Sequence, residues 1–333
     1  MILHRLLPAA ICLSLFLPVR AHAADVVVTI KPLHSIAAAV MQGAGTPRLL
    51  VSGAASPHTF ALKPSDANAL KLADLIVWVG EDLETALERP LESLAKPEAV
   101  LTLIDLPDMR LLEAREGGVW AEHDHGHSGH GHEKHEKHAG HGHGKKEKHH
   151  HHGHGHAHDA DHHDDPHIWL DPANAKVIAS ALAQALSRVD PANAGLYRAN
   201  AEALSARLDG LDRELAEATK PLQDMAYIVF HDAYQYFEAR YGLQPAGSIT
   251  VSPDRQPGAR RVTEIRDAIV KRKARCVFAE PQFEPKLQQR LVETTGARAG
   301  VLDPIGAALP EGPDLYFTLM RNLAASLAAC QAP

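Results

Sequence analysis

Residues 191–219 read PANAGLYRANAEALSARLDGLDRELAEAT. Leu204, Leu208, Leu211 and Leu215 recur at steps of four, three and four, which places them in one apolar stripe on a helix. Asp190-Pro191 supplies the start signal, an N-cap Asp before a proline at the first helical position. The stretch holds Gly195 and Gly210 but no internal proline. The spacing therefore predicts one helix over 191–219, roughly 44 Å long at about 1.5 Å per residue. A helix of that length can run the length of a two-domain molecule.

On either side, short apolar runs alternate with amphipathic stretches. Candidate strands at 26–30, 49–51, 75–79 and 100–103 precede the helix, and others at 227–230, 246–249, 277–279 and 300–302 follow it. Runs such as LIVWV and YIVF are apolar on both faces, as a buried parallel sheet requires. Between them lie helical patterns at 35–41, 65–72, 262–273 and 285–295. Asp171-Pro172 marks a further capped helix start. The predicted class is α/β, with two α/β domains containing parallel-type sheets (24–190 and 220–333) joined by the long helix at 191–219. A chain of 333 residues suits two domains.

Residues 1–23 have the features of a secretion signal. Arg5 lies in a short basic head, 6–19 is apolar, and Ala21-His22-Ala23 offers a small-x-small cleavage site. The apolar run is short for a bilayer span, and no later stretch is apolar enough to cross one. The expectation is an exported, non-spanning, monomeric protein, periplasmic in a cell with two membranes. A formal net charge of -7 argues against nucleic acid as a partner. Beyond the signal two cysteines remain, Cys276 and Cys330, and in an oxidising compartment they most simply form a disulfide. Thiolate metal ligation is the alternative, disfavoured by their wide separation and by abundant histidine.

Histidine is concentrated between 123 and 163, where eighteen of the chain's 24 fall. They are His123, His125, His127, His130, His132, His135, His138, His141, His143, His149, His150, His151, His152, His154, His156, His158, His162 and His163. The other residues there are mostly Gly, Lys, Asp and Glu, so the tract cannot bury enough apolar surface to order itself and reads as a disordered loop. Imidazole is the commonest ligand for zinc, copper and nickel, so the tract points to a divalent transition metal.

Elsewhere histidine is scarce. His58 lies in a small-residue loop after the 49–51 strand, His167 lies before a capped helix, and His231 closes the 227–230 strand. Open α/β sheets place ligands at such strand ends. Each also has a plain reading: an exposed loop histidine, the last member of the tract, and a structural histidine. His34 also follows a strand and reads as structural. Together the three make a His₃ zinc site, with Asp303, which follows the 300–302 strand, as the candidate fourth ligand. No His-Glu-x-x-His, Gly-rich phosphate loop or Gly-x-Ser-x-Gly is present, so the reading is a binding protein rather than an enzyme.

Residues 53–66 (GAASPHTFALKPSD), 73–80 (ADLIVWVG), 165–172 (DPHIWLDP), 229–237 (VFHDAYQYF), 247–258 (GSITVSPDRQPG), 276–283 (CVFAEPQF) and 302–306 (LDPIG) carry a resemblance. In combination they resemble the periplasmic zinc-binding component of high-affinity zinc ABC importers (ZnuA type), of the cluster A-I solute-binding family. The resemblance implies two α/β domains joined by one long helix, with Zn²⁺ held in the cleft between them. It implies delivery of the ion to an inner-membrane permease driven by a cytoplasmic ATPase. The family's histidine ligands fall on His58, His167 and His231, its cleft Asp on Asp303 and its disulfide on Cys276 and Cys330. Manganese-binding relatives usually carry Glu where this chain has His231, and imidazole favours zinc. A Glu ligand that some zinc members place just before the first histidine is excluded here by Pro57. The fourth ligand is then Asp303, water or a tract histidine.

The tract is expected either to collect ions for the cleft or to sense and buffer excess zinc; a manganese or broad-specificity importer component is the competing reading. Deleting 123–163 is expected to abolish several weak zinc sites and leave one tight site. The weak sites should fade as pH falls below about 6.5, where free imidazole protonates. Titration calorimetry at two pH values measures both, and loss of the tight site on deletion would refute the assignment.

Overall fold

The computed structural model of the chain describes residues 24–115, 117, 119–120, 163–250, 253 and 257–331. The expected signal segment, 1–23, and the tract histidines from His123 to His162 lie outside the described residues. The first half runs β1 (Val26–Val28), α1 (Lys31–Val40), β2 (Arg48–Leu49), α2 (Pro64–Leu72), β3 (Leu75–Trp78), α3 (Glu88–Leu94), β4 (Val100–Thr102) and α4 (Pro172–Val189). The long helix α5 (Ala194–Thr219) follows. The second half runs β5 (Tyr227–His231), α6 (Gln235–Tyr241), β6 (Gly247–Thr250), α7 (Ala259–Arg272), β7 (Cys276–Ala279), α8 (Lys286–Thr295), β8 (Arg298–Val301) and α9 (Leu315–Gln331).

The strands form two four-stranded sheets, ordered β2-β1-β3-β4 and β6-β5-β7-β8, and every neighbouring pair is parallel. Side chains alternate across a strand, so each buried strand supplies two cores. Val26 and Val28 of β1 enter the central core, while Val27 packs outward with Leu70 of α2 and Leu91 of α3. In the second sheet Tyr227 and Val229 point to the same central core, and Ile228 packs outward with Ile265 of α7 and Leu291 of α8. This alternation is the reason the strand sequences are apolar on both faces.

The central core is continuous from one sheet to the other. Helices α1, α4, α5 and α9 form the layer that joins them. Leu204, Leu208, Leu211 and Leu215 of α5 are all buried there, each contributing roughly 1.5–3 kcal/mol. The helix starts later than Asp190-Pro191 predicts. A 3-10 turn, Pro191–Asn193, comes first, and the Asp190 carboxylate accepts from Tyr197 Oη and Asn193 Nδ2, each at 2.7 Å, instead of capping the helix. With 26 residues the α-helix is about 39 Å long. Asp171 does cap α4, accepting from the Ala173 amide at 2.8 Å.

Cys276 of β7 is bonded to Cys330 of α9, 54 residues away. The bridge fastens the last helix to the second sheet while that helix packs on α1 and α5. A loop of this size contributes roughly 4 kcal/mol by the chain-entropy account. Among the described residues no helix is long and apolar enough to cross a membrane.

Glu84, fully buried behind the ends of β1 and β3, accepts from the Val79 and Gly80 amides and bonds to the Thr29 hydroxyl. Burial outweighs these bonds and pushes its carboxyl from 4.5 up to about 7. The folded state thus holds the proton to higher pH than the unfolded chain. That stabilisation is complete below about pH 4.5 and is lost as pH rises through about 7. Glu84→Gln mimics the protonated acid. In the ion-free protein its stability relative to wild type should rise between pH 5 and pH 8, by at most roughly 3 kcal/mol. Urea unfolding at the two pH values measures the difference, and a pH-independent difference would contradict the account.

Candidate metal centre

Parallel strands deliver their carboxyl ends to one edge of a sheet, and the loops that leave those ends build the site. His58 sits in a 3-10 turn, Pro57–Thr59, opened by Ser56, whose Oγ accepts from the His58 amide at 3.3 Å. His167 immediately precedes the 3-10 turn Ile168–Leu170. His231 is the last residue of β5. The ligand atoms of the three lie within 4.8 Å of one another. His167 and His231 are 5% and 3% exposed, whereas His58 is partly open.

The hydrogen bonds decide what this cluster can hold. His167 Nδ1 lies 2.7 Å from Asp165 Oδ1, and His231 Nδ1 lies 2.6 Å from Glu280 Oε1. An ionised carboxylate only accepts, so each Nδ1 presents its proton to a carboxylate and each Nε2 is turned toward the other ring. Those two Nε2 atoms face each other at 3.2 Å. Facing lone pairs repel unless a cation lies between them. Burial and the charge of His231 hold His167 well below the usual imidazole range. Burial also pulls His231 down, but the Glu280 carboxylate more than reverses this and the net shift is upward. With one imidazole pushed down and the other up, a single proton fits between the two Nε2 atoms, and a metal cation would compete with it for the same lone pairs.

The cavity between the rings encloses about 10 Å³, room for one water-sized particle. Trp169, Phe283, Pro304 and Ile305 supply its apolar walls. The space between the rings is thus of a size for a single ion.

Asp303 lies outside the group of three. Its Oδ1 accepts from Gln282 Nε2 at 3.0 Å and from the Ile305 and Gly306 amides at 3.2 and 2.9 Å. Its Oδ2 accepts from the Ala307 amide at 2.7 Å. His34 is buried, with Nε2 at 3.0 Å from Pro47 O, a structural role as expected. The disulfide removes both cysteines as thiolate donors. Within the tract, His163 is described; its Nδ1 lies 3.5 Å from Asp82, apart from the three clustered rings. The residues missed by sequence reasoning are Asp165 and Glu280. The signal was present: Glu280 directly follows β7 as Asp303 follows the last strand, and Asp165 stands two residues before His167.

A family model described as "Zinc-uptake complex component A periplasmic" (ZnuA) matches residues 26–330. The chain belongs to the ZnuA family. The high-affinity zinc uptake system protein ZnuA of Brucella abortus (strain 2308) is 52% identical over 305 residues, 92% of this chain and 91% of that protein. A crystal structure of ZnuA superposes with a TM-score of 0.71 at 25% identity, covering 93% of this chain and 100% of that one. FpvC from Pseudomonas aeruginosa, solved in complex with Mn²⁺, has the same TM-score of 0.71 at 20% identity, covering 92% of this chain and 98% of that one. The ZnuA fold is thus shared with a manganese-bound protein, and the choice of metal lies in the side chains.

The carboxylates behind the ZnuA-type histidines orient the rings and raise their basicity. Glu280→Ala is expected to raise the zinc Kd about 10–100-fold, read by competition with a chelating dye. An unchanged Kd would show that Glu280 does not orient His231.

Proposed function

We propose that this chain is the zinc receptor of an ABC importer, capturing Zn²⁺ in the periplasm and delivering it to the membrane permease. His58, His167 and His231 hold the ion. One observation carries this reading: imidazole lone pairs converge on a buried space the size of one ion. Membership of the zinc-uptake family supports it.

Three imidazoles are borderline donors that suit Zn²⁺ better than Mn²⁺, which prefers oxygen. They leave one position of a tetrahedral ion to another ligand. The same geometry supports binding rather than catalysis. A zinc hydrolase needs a base near the metal-bound water and room for its substrate. Here Asp165 and Glu280 are committed to the Nδ1 protons, and the cavity holds one small particle. The chain works as a monomer: residues 24–190 and 220–333 form the lobes, 191–219 joins them, and 1–23 is the export signal. The permease and its cytoplasmic ATPase are the partners. The tract at 123–163 is an accessory that collects or buffers ions.

The test is calorimetric. In a protein lacking 123–163, His231→Ala should abolish tight one-to-one zinc binding, and Mn²⁺ should fail to displace zinc from the unmutated site. Retention of the tight site in His231→Ala would refute the ligand set. Ready displacement by Mn²⁺ would favour a broad-specificity importer component.

A further inference from the structure

Lys31, in the first turn of α1, is buried at 6% exposure. Its ammonium donates to three backbone carbonyls of the second half: Ala307 O at 2.7 Å, Leu309 O at 2.9 Å and Gly306 O at 3.3 Å. Three donors thus meet three acceptors. Burying an ammonium against carbonyls alone is costly, and an apolar side chain would fill the space at less cost.

The segment it grips follows Asp303. Amides of Ile305, Gly306 and Ala307 turn inward to the Asp303 carboxylate, which also takes Gln282 Nε2. Carbonyls of the same segment turn outward to Lys31, and Pro304 O accepts from Trp169 Nε1 at 2.8 Å. Gly306 has φ +69°, a left-handed conformation that lets the segment curl around the carboxylate. Four donors hold the carboxylate, three on Oδ1 and one on Oδ2. Pro304 and Ile305 of this segment also wall the cavity.

We propose that Lys31 is a specificity-determining positioning residue. By gripping the carbonyls of 306–309 it keeps the amides on Asp303 and so withholds that carboxylate from the ion. The centre then presents nitrogen donors and rejects harder ions such as Mn²⁺. Without Lys31 the segment relaxes, Asp303 is released beside the cavity, and the added oxygen ligand favours Mn²⁺. This rests on the three-histidine reading above.

The test uses the full chain with one equivalent of Co²⁺, whose visible spectrum reports the ligand set, and Mn²⁺ binding followed by electron paramagnetic resonance. Wild type and Asp303→Asn should give the same cobalt spectrum. Lys31→Met should change the spectrum and tighten Mn²⁺ relative to Zn²⁺ about tenfold or more; adding Asp303→Asn to Lys31→Met should remove both changes. The proposal is overturned if Asp303→Asn alone alters the wild-type spectrum, or if Lys31→Met leaves spectrum and metal preference unchanged. Should Lys31→Met not fold, Lys31→Gln is expected to shift both readouts in the same direction by less, and no shift overturns the proposal equally. Failure of the three-histidine reading looks different: the cobalt spectrum of His231→Ala would match wild type.

Discussion

Two imidazole nitrogens with lone pairs, 3.2 Å apart in a buried space, are the constraint around which the rest of the molecule is arranged. Each is aimed by a carboxylate on the far side of its ring, Asp165 behind His167 and Glu280 behind His231. In water the rings would turn away from each other. Here they are held, because each Nδ1 lies against a buried carboxylate and turning the ring away would give up that hydrogen bond. Facing each other, the two nitrogens can share a proton or a metal cation. Zinc, which takes imidazole nitrogen readily and has no rigid geometric demand, is suited to that place.

Holding that geometry requires the two halves to keep a fixed relation, since His167 belongs to one and His231 to the other. The continuous core between the sheets supplies this, with α5 and α9 spanning it. Polar ties reinforce the same interface. Arg240 of α6 reaches Asp171 at the start of α4 as well as Asp212 of α5. Tyr316 of α9 donates to Trp169 O at 2.8 Å, and Trp169 in turn donates to Pro304 O. Arg115 pairs with Asp232 and Glu238 beside His231. The two sheets thus share one interior.

The fold was legible because its evidence is local. All eight strands stand near their predicted positions; the inner ones do so because a parallel strand packed on both faces needs a continuous apolar run, whereas the edge strands β2 and β8 are largely exposed. The leucine stripe of α5 is local in the same way. Asp190 shows where local reading fails. Asp-Pro looks like a helix cap, but Tyr197, buried one turn into α5, competes for the same carboxylate and wins it. Asp303 shows the same limit at the site. Its place after a strand marks it as a ligand candidate, while the amides of 305–307 and a lysine 272 residues away in sequence set its actual contacts.

By itself, the sequence determined the α/β class, the long helix, the choice of histidine over thiolate, and three histidines at element ends. Each follows from residue type, spacing or periodicity, which act within a few positions along the chain. Tertiary structure alone decided that those histidines meet, which nitrogens of His167 and His231 face each other, and which carboxylates stand behind those two rings. Apart from Asp165, two residues from His167, these depend on contacts between residues dozens of positions or more apart, and on buried hydrogen bonds whose energies count only once water is excluded.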